Sequence, residues 1–401
     1  MRHAIAHWLS SLALLSSPTL AQTTYAVGVR DVTFANPTSQ GSTTLPTRVL
    51  YPATVAGSNT PLLQQSGGWP AVTFLHGFAL LGSSYEALGR RWAERGFVVA
   101  LGNTAQFDNL LQEDDGRAMF AALQVANATP GGPFFGGIDL GRVGIAGHSM
   151  GGGNVANVLA ANPGYRCGVA IAPVQPRGNN GALVTVPLGI IAGDGDTITP
   201  PTTTAVPYYG SLSAFSQLKL LYRLNGDASH TNLVGLFVFG TTATEVFARS
   251  ASVALGFLQH TLDGDPTGLE LALGDDALAE PRLVACEGGV ERAQAWAAAD
   301  LVLGATVSVR AGLEPGIGGL VAAPGPLVPP LPTPFGELLL DPSTALVLQV
   351  GVVGAERRVD ATIAVPADPS LVGAVVSLQA FGAEPAQPLS LGGAMSLVVK
   401  P

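Results

Sequence analysis

The chain has 401 residues, of which 47% are hydrophobic and 12% are charged. This length exceeds that of a typical single domain, and the hydrophobic fraction suffices for a large core, which favours a globular chain over a disordered one. The formal net charge at pH 7 is −9, and only two lysines occur. Because nucleic acids and anionic membranes attract clustered Lys and Arg, the composition argues against both as partners.

The first 21 residues have the pattern of a secretory signal peptide. Arg2 supplies the positive charge, residues 4–15 form a mostly apolar stretch, and Thr19-Leu20-Ala21 offers small residues for cleavage. The apolar stretch is too short to span a bilayer, so a membrane anchor does not fit. The sequence therefore predicts an exported protein, secreted or periplasmic, without a membrane span.

Two cysteines are present, Cys167 and Cys286. An exported protein could join them in a disulfide, and the sequence leaves this pairing open. Neither has the spacing of a metal site or the surroundings of a catalytic thiol. We expect no metal and no cofactor.

Residues 22–266 alternate between strand-like and helix-like patterns. The predicted strands are 71–75, 97–101, 143–146, 169–172, 188–192 and 218–224. The predicted helices are 84–95, 118–125, 154–161 and 244–262. Nearly continuous apolar strands separated by helices are typical of a parallel sheet covered on both faces, so this region is predicted to be an α/β catalytic domain.

Residues 267–401 differ in kind. Short runs of Val, Ala and Leu alternate with Gly- and Pro-rich breaks, which favours an all-β, sandwich-like module. Only residues 290–300 have a helical pattern. The module contains no His and no motif for chemistry, so we expect a structural or attachment role.

The strongest chemical signal is the sequence Gly-His-Ser-Met-Gly at residues 147–151, between a predicted strand and a predicted helix. This is the pattern of a nucleophile elbow, in which a sharp turn exposes the hydroxyl of Ser149. The turn is so tight that positions 147 and 151 have almost no room for a side chain, which explains the glycines there. A Gly-rich turn without chemistry is the alternative, and the strand–turn–helix context argues against it.

A serine hydroxyl needs a base that takes its proton, and His is the usual choice. Five of the six histidines are badly placed, in the signal peptide, beside the serine, at the end of an early strand or late on a helix: His3, His7, His148, His76 and His260. His230, in a loop after a predicted strand, remains. The order serine, acid, histidine that this elbow requires then places the acid between Ser149 and His230.

Two acids compete for that role, Asp194 and Asp196, both directly after the strand 188–192. A carboxylate here would fix the imidazole tautomer and stabilise the imidazolium. We favour Asp196, which lies nearer the crest of the loop, and expect Asp194 to tighten the turn.

A developing oxyanion needs two backbone N–H donors. One is expected from Met150, the residue after the nucleophile, and the other from Phe78, in the loop His76-Gly77-Phe78 that follows an early strand.

Residues 46–262 resemble the cutinase-like polyester hydrolases (PET hydrolase-like) of the α/β-hydrolase superfamily. The resemblance extends more loosely to chlorophyllases and to dienelactone-hydrolase-like esterases, although dienelactone hydrolases proper use a Cys nucleophile. The matching segments are HGF (76–78), SSYEALGRRWAERGFVVA (83–100), GHSMGGG (147–153), AGDGDTITP (192–200) and GDASH (226–230). The resemblance places the triad acid on Asp196, in agreement with the choice made from the loop.

One feature departs from that family. The polyester hydrolases usually carry a Trp directly after the Pro that follows the next strand, whereas here Val174 follows Pro173. We expect an apolar substrate site lined by Phe78, Val174 and His148, without that flat aromatic clamp. This speaks against efficient hydrolysis of terephthalate polyesters.

The sequence thus predicts a monomeric serine ester hydrolase that acts through an acyl-enzyme on short to medium or polymeric esters. The 15 residues from Pro173 to Pro187 are too few for a helical cap, so the site is expected to be lidless. A non-catalytic binding or adhesion protein on a hydrolase scaffold, and a peptidase or amidase of the same fold, are the alternatives.

Overall fold

The computed structural model describes residues 23–36, 43–104, 107–161, 164–212, 218–289, 293–312, 316–354, 358–383 and 389–401. The predicted signal peptide, residues 1–21, lies outside these ranges. Among the described residues, none of the helices combines the length and apolar character needed to cross a bilayer.

A ten-stranded sheet dominates the structure. Its strands are β1 (Ala26–Ala35), β2 (Thr44–Ala53), β3 (Gly57–Ser58), β4 (Trp69–Leu75), β5 (Val98–Gly102), β6 (Ile138–His148), β7 (Cys167–Ile171), β8 (Leu188–Gly193), β9 (Lys219–Leu224) and β10 (Leu283–Gly289). Their order across the sheet is β10-β9-β8-β7-β6-β4-β5-β2-β1-β3. The six central strands, from β9 to β5, pair in parallel, whereas β10, β2 and β1 pair antiparallel. The α/β-hydrolase fold predicted from the sequence is confirmed.

Helices cover both faces of this sheet. They are α1 (Glu86–Ala93), α2 (Asn109–Ala128), α3 (Met150–Ala161), α4 (Ala205–Ser211), α5 (Gly240–Leu258), α6 (Glu270–Leu273) and α7 (Asp275–Leu278). A π-helical turn, Gln259–Asp263, extends α5, and short 3-10 turns occupy Gly82–Tyr85, Asn180–Leu183, Asn232–Val234 and Pro369–Leu371. Buried side chains of α1, α5, α6 and α7 form a core on one face, and those of α2, α3 and α4 form a second core on the other.

Helix α2 begins nine residues before the predicted helix at 118–125. Its first turns bury polar side chains, including Gln112 and Glu113, and this obscures the apolar periodicity. Glu113 accepts hydrogen bonds from Asn157 Nδ2 on α3 (2.9 Å) and from Arg177 Nε (3.3 Å), which compensate for its burial.

The carboxy-terminal region is a β module. Its strands are β11 (Gln294–Ala297), β12 (Thr306–Gly312), β13 (Gly316–Ala323), β14 (Pro326–Thr333), β15 (Gly336–Leu340), β16 (Leu346–Val353), β17 (Arg358–Ala364), β18 (Val375–Ala383) and β19 (Ser390–Val398). They form sheets of order β11-β12-β17 and β16-β13-β18-β19, and a hairpin of β14 and β15. The antiparallel pairs and their common apolar core agree with the predicted all-β character.

The helix predicted for residues 290–300 is wrong in its described part, and residues 290–292 lie outside the described ranges. Gln294–Ala297 is strand β11, which pairs antiparallel with β12. Local helix propensity of the Ala-rich segment is outweighed by this pairing and by the complete burial of Trp296.

Elements beyond residue 266 still belong to the large sheet and its helices. Strand β10 pairs with β9, and buried residues of α6 and α7 share the core of α5. We therefore propose that the division between the catalytic region and the β module lies near residue 290. Trp296 Nε1 donates to Glu270 Oε2 at 3.0 Å, and Arg310 binds Asp275, so the module contacts α6 and α7 directly.

The two cysteines lie far apart in the sheet. Cys167 is on β7 and Cys286 on β10, three strand spacings away, or roughly 14 Å. A disulfide requires Cα atoms within about 7 Å. The structure does not join them.

Candidate active site

Ser149 lies at the turn between β6 and α3. Its φ of 57° is in the left-handed region that non-glycine residues rarely adopt. A Cβ atom at Gly147 would collide with the backbone of Gly151, and one at Gly151 would collide with the backbone of Leu75. The Ser149 N–H donates to the Ile171 carbonyl of β7 (3.1 Å). The neighbouring chain segments thus hold the turn in its strained form.

His230 and Asp196 face each other from loops at the ends of adjacent strands. Asp196 follows β8 and His230 follows β9, and the distance from His230 Nδ1 to Asp196 Oδ2 is 2.6 Å. Because a carboxylate only accepts, Nδ1 carries the proton and Nε2 of the neutral ring is the basic nitrogen. The pair can therefore accept a proton at Nε2 and stabilise the resulting imidazolium.

The Asp196 carboxylate is held by its own loop. Oδ1 accepts the N–H groups of Ile198 and Thr199, both at 2.8 Å, and Oδ2 accepts the Thr199 hydroxyl at 2.6 Å. Burial opposes ionisation, but the hydrogen bonds from His230 and Thr199 outweigh it and hold the pKa of Asp196 below its usual value.

Asp194 takes a different place. Its carboxylate forms a two-point ion pair with the Arg223 guanidinium, with Oδ2 3.0 Å from one terminal nitrogen, and it is partly exposed. The structure therefore pairs Asp196, and not Asp194, with His230.

The loop that follows β4 lies beside Ser149. In the parallel pairing of β4 with β6, Leu75 is opposite Gly147. Phe78 and Met150, the two predicted oxyanion donors, are each three residues beyond this pair, so both follow the carboxyl ends of neighbouring strands. The loop is fixed by Gln112, whose Nε2 donates to the His76 carbonyl at 2.9 Å.

His148 does not occupy the substrate-contacting position predicted from the sequence. The residue is 1% exposed, and both ring nitrogens are engaged, Nδ1 with the Tyr85 hydroxyl (2.8 Å) and Nε2 with the His230 carbonyl (2.9 Å). Burial, together with the nearby His230, lowers the pKa of His148 to about 3, so the ring is neutral at ordinary pH. The prediction of a substrate contact is wrong because the strand that carries His148 points its ring into the protein.

The surface around these loops is apolar. Phe78 is 59% exposed, and its ring meets that of Phe107 edge to face, with ring centroids 5.4 Å apart. Ile198 in the acid loop and Phe237 after the histidine loop are also exposed. Val174 is half-buried, and its N–H donates to the Ser149 carbonyl at 3.1 Å. The segment 173–187 contains only the 3-10 turn Asn180–Leu183.

Sequence reasoning missed Thr199 and Tyr85. Thr199 donates its hydroxyl to Asp196 within the same loop, and Tyr85 contacts Gly77 and His148 from another segment. Thr199 lies only three residues after Asp196, and this closeness of a hydroxyl to a candidate acid could have indicated its role from the sequence. Nothing in the sequence indicated Tyr85. Among the described residues, no three or more His, Cys, Asp or Glu side chains are grouped so that they could hold a metal ion.

The sequence is similar to a known protein family. Residues 17–242 match the family model described as PETase, PET hydrolase-like. The chain belongs to this PET hydrolase-like family. The matched range includes Ser149, Asp196 and His230 and ends before the β module.

Several relatives of this PET hydrolase-like chain have names that describe ester hydrolysis. It is 31% identical to a bis(hydroxyethyl) terephthalate hydrolase of Streptomyces coelicolor over 207 residues, 51% of this chain and 61% of that protein. It is 33% identical to cutinase 1 of Thermobifida cellulosilytica over 169 residues, 42% of this chain and 62% of the relative. Cutinase est1 of Thermobifida alba is 30% identical over 208 residues, 51% of this chain and 69% of that enzyme. The chain thus spans about three fifths of the first two relatives.

Proposed function

We propose that this protein is an exported serine carboxylic-ester hydrolase with Ser149, Asp196 and His230 as its triad. Two observations carry the proposal: the 2.6 Å contact between His230 Nδ1 and Asp196 Oδ2, and the positive φ of Ser149 at a strand–helix turn, whose neighbour His148 lies 2.9 Å from the His230 carbonyl. Hydrogen bonding to Asp196 leaves Nε2 as the base, which is what activation of a serine hydroxyl requires.

The proposed reaction has two halves. Ser149 Oγ attacks the ester carbonyl carbon while His230 Nε2 takes the hydroxyl proton, and the Met150 and Phe78 N–H groups stabilise the oxyanion. The C–O bond to the alcohol breaks as His230 returns the proton to the leaving oxygen, which leaves an acyl group on Ser149. Water, deprotonated by His230, then releases the acid and restores the serine.

The surroundings of the site support a broad ester specificity. Exposed Phe78, Phe107, Ile198 and Phe237 offer an apolar surface to an acyl chain or a polymer segment. With one short turn between β7 and β8, no helical cap is built there, and we propose a lidless enzyme. The relatives' names extend the proposal to terephthalate esters, but Val174 supplies no flat ring, so we expect p-nitrophenyl butyrate to be cleaved faster than bis(hydroxyethyl) terephthalate.

A fluorophosphonate probe tests the nucleophile. We expect the purified wild-type protein and Ser250→Ala to be labelled, and Ser149→Ala to remain unlabelled. Ser250 is a matched control because it is a fully buried serine on α5, away from the triad loops. Equal labelling of Ser149→Ala would overturn the assignment. An unlabelled wild type that hydrolyses no ester would favour the alternative of a non-catalytic binding protein on a hydrolase scaffold.

The choice between ester and amide substrates is tested with p-nitrophenyl esters of increasing acyl length and the corresponding p-nitroanilides. We expect ester hydrolysis with ordinary saturation and at least about 10²-fold lower kcat/KM for the anilides, because an amine leaving group demands more acid catalysis. Comparable rates would favour the alternative of a peptidase or amidase.

Export is tested by N-terminal sequencing of protein recovered from the medium or periplasm, where we expect a start near Gln22.

A further inference from the structure

A chain of buried hydrogen bonds connects two loops of the candidate site. The Gly77 N–H donates to the Tyr85 hydroxyl oxygen at 2.9 Å, and Tyr85 Oη lies 2.8 Å from His148 Nδ1. His148 Nε2 lies 2.9 Å from the carbonyl of His230. The chain begins one residue before Phe78 and ends on the backbone of the residue proposed as the base.

Each proton in this chain has one consistent position. The His230 carbonyl can only accept, so His148 carries its proton on Nε2 and accepts on Nδ1. Tyr85 therefore donates its hydroxyl proton to His148, and the phenolic oxygen accepts the Gly77 N–H. All groups are buried, and each donor has an acceptor.

We propose that Tyr85 is a positioning residue. Through His148, it fixes the loop of residues 76–78, which carries the proposed oxyanion donor, relative to the loop of His230. This inference rests on the proposed ester hydrolysis. Residues 77 and 230 are separated by 153 positions in the sequence, and the Tyr85–His148 link joins their backbones through two rigid rings. A Cβ atom at Gly77 would lie 3.1 Å from both Tyr85 Oη and His148 Nδ1, so the loop packs directly on the link.

A role for these groups in proton transfer does not fit their surroundings. Both are buried behind the triad, and burial raises the pKa of Tyr85 well above its usual value. His148 is neutral at ordinary pH, and neither of its ring nitrogens is available to substrate. What the link supplies is geometry, because oxyanion stabilisation depends on donors held where charge develops.

The test is Tyr85→Phe, with Tyr165→Phe as the matched control. Tyr165 is also fully buried and also uses its hydroxyl twice, with Thr73 (2.9 Å) and the Gly116 carbonyl (2.7 Å), but it lies before β7, at the end of the sheet opposite the triad. Both variants lose a buried hydroxyl, so both should melt at lower temperature than wild type. We expect Tyr85→Phe alone to lose about 10- to 100-fold in kcat, with KM within about twofold of wild type.

A second pair of variants tests the same link independently, in case Tyr85→Phe does not fold. His148→Leu cannot accept from Tyr85 or donate to His230, whereas His148→Gln retains an acceptor and a donor. We expect His148→Leu to lose more kcat than His148→Gln, and the double variant Tyr85→Phe/His148→Leu to lose less than the product of the single losses.

Three outcomes separate this inference from the proposed function. If the wild type hydrolyses esters, Ser149→Ala does not, and Tyr85→Phe keeps the kcat of Tyr165→Phe, Tyr85 is merely structural and the inference is overturned. Equal kcat for His148→Leu and His148→Gln would overturn it as well. If Ser149→Ala retains full activity, it is the proposed function that fails.

Discussion

Buried polar groups are arranged differently in the catalytic region and in the β module. In the described part of residues 23–289, one group of them lies at the carboxyl ends of the central strands, where Ser149, Asp196, His230 and His148 are all nearly inaccessible to solvent. In the module, the buried polar residues Ser377 and Gln379 pair within their own sheet and its hairpin, Ser377 with Ser396 Oγ at 2.7 Å and Gln379 with the Glu337 carbonyl at 2.8 Å. Burial of polar groups costs free energy in both regions. Ser377 and Gln379 thus find their partners within the module, whereas we propose that the group at the carboxyl ends of the central strands orients a nucleophile and a base.

The comparison is tested most strongly by Ser149→Ala. We expect kcat/KM for p-nitrophenyl butyrate to fall by about 10⁴-fold or more, because the triad acts as a unit. The melting temperature should stay within a few degrees of wild type, since only a hydroxyl is removed. Steady-state kinetics and thermal melts of the same preparation check both parts, and substantial residual hydrolysis would remove Ser149 from the mechanism.

The next largest effect on kcat is expected from substitution of the acids in the loop after β8. Asp196→Asn should lower kcat by about 10²- to 10⁴-fold, because the amide no longer enforces the imidazole tautomer with Nε2 free. Asp194→Asn weakens only the partly exposed ion pair with Arg223 and should change kcat by less than about twofold. Parallel assays of the two isosteric variants decide the matter, and the reverse ranking would assign the role to Asp194.

The same division explains what the sequence could predict. The central strands are buried on both faces, so they read as apolar runs, and the candidate serine, acid and histidine were chosen from motif and order along the chain. The antiparallel pair β1 and β2 was missed because β1 is partly exposed and both strands carry mixed residues.

Contacts between distant segments were not predictable. Tyr85 meets His148 across 63 residues, and neither position has a local pattern that requires the other. The strand at Gln294–Ala297 likewise depends on its partner β12, whereas its own residues favour a helix.

The boundary between the two regions gives a third prediction. Arg310 of the module is almost fully buried and binds Asp275 with two nitrogens, each at 2.8 Å, and Glu270 at 3.2 Å. Arg310→Ala removes these charged hydrogen bonds, while the exposed Asp275 keeps Arg358 as a partner, so we expect a loss of about 2 kcal/mol in the free energy of unfolding. The value of kcat should not change, because the partners of Arg310 in the described part of the chain do not include Ser149, Asp196 or His230.

The matched control in the module is Lys400→Ala, which breaks the largely exposed pair with Asp300 and should cost at most about 0.5 kcal/mol. Urea unfolding and ester hydrolysis measure both variants. A large drop in kcat of Arg310→Ala would show that the module supports the site and would break the division drawn above.

The smallest expected effect concerns acid stability and His148. Its pKa is about 3 in the folded protein against an ordinary value of 6.5, so between these values the unfolded chain binds a proton that the folded chain excludes. Stability from this group is therefore complete above pH 6.5 and falls as the pH decreases, by on the order of 2 kcal/mol at pH 5. His148→Gln does not titrate and should lose less melting temperature between pH 7 and pH 5 than wild type. His76 and His260, whose pKa values burial also lowers, remain in both proteins, so their contribution cancels in the difference. Melting curves at pH 7, 6 and 5 provide the measurement, and parallel losses in the two proteins would mean that His148 takes up its proton in the folded state.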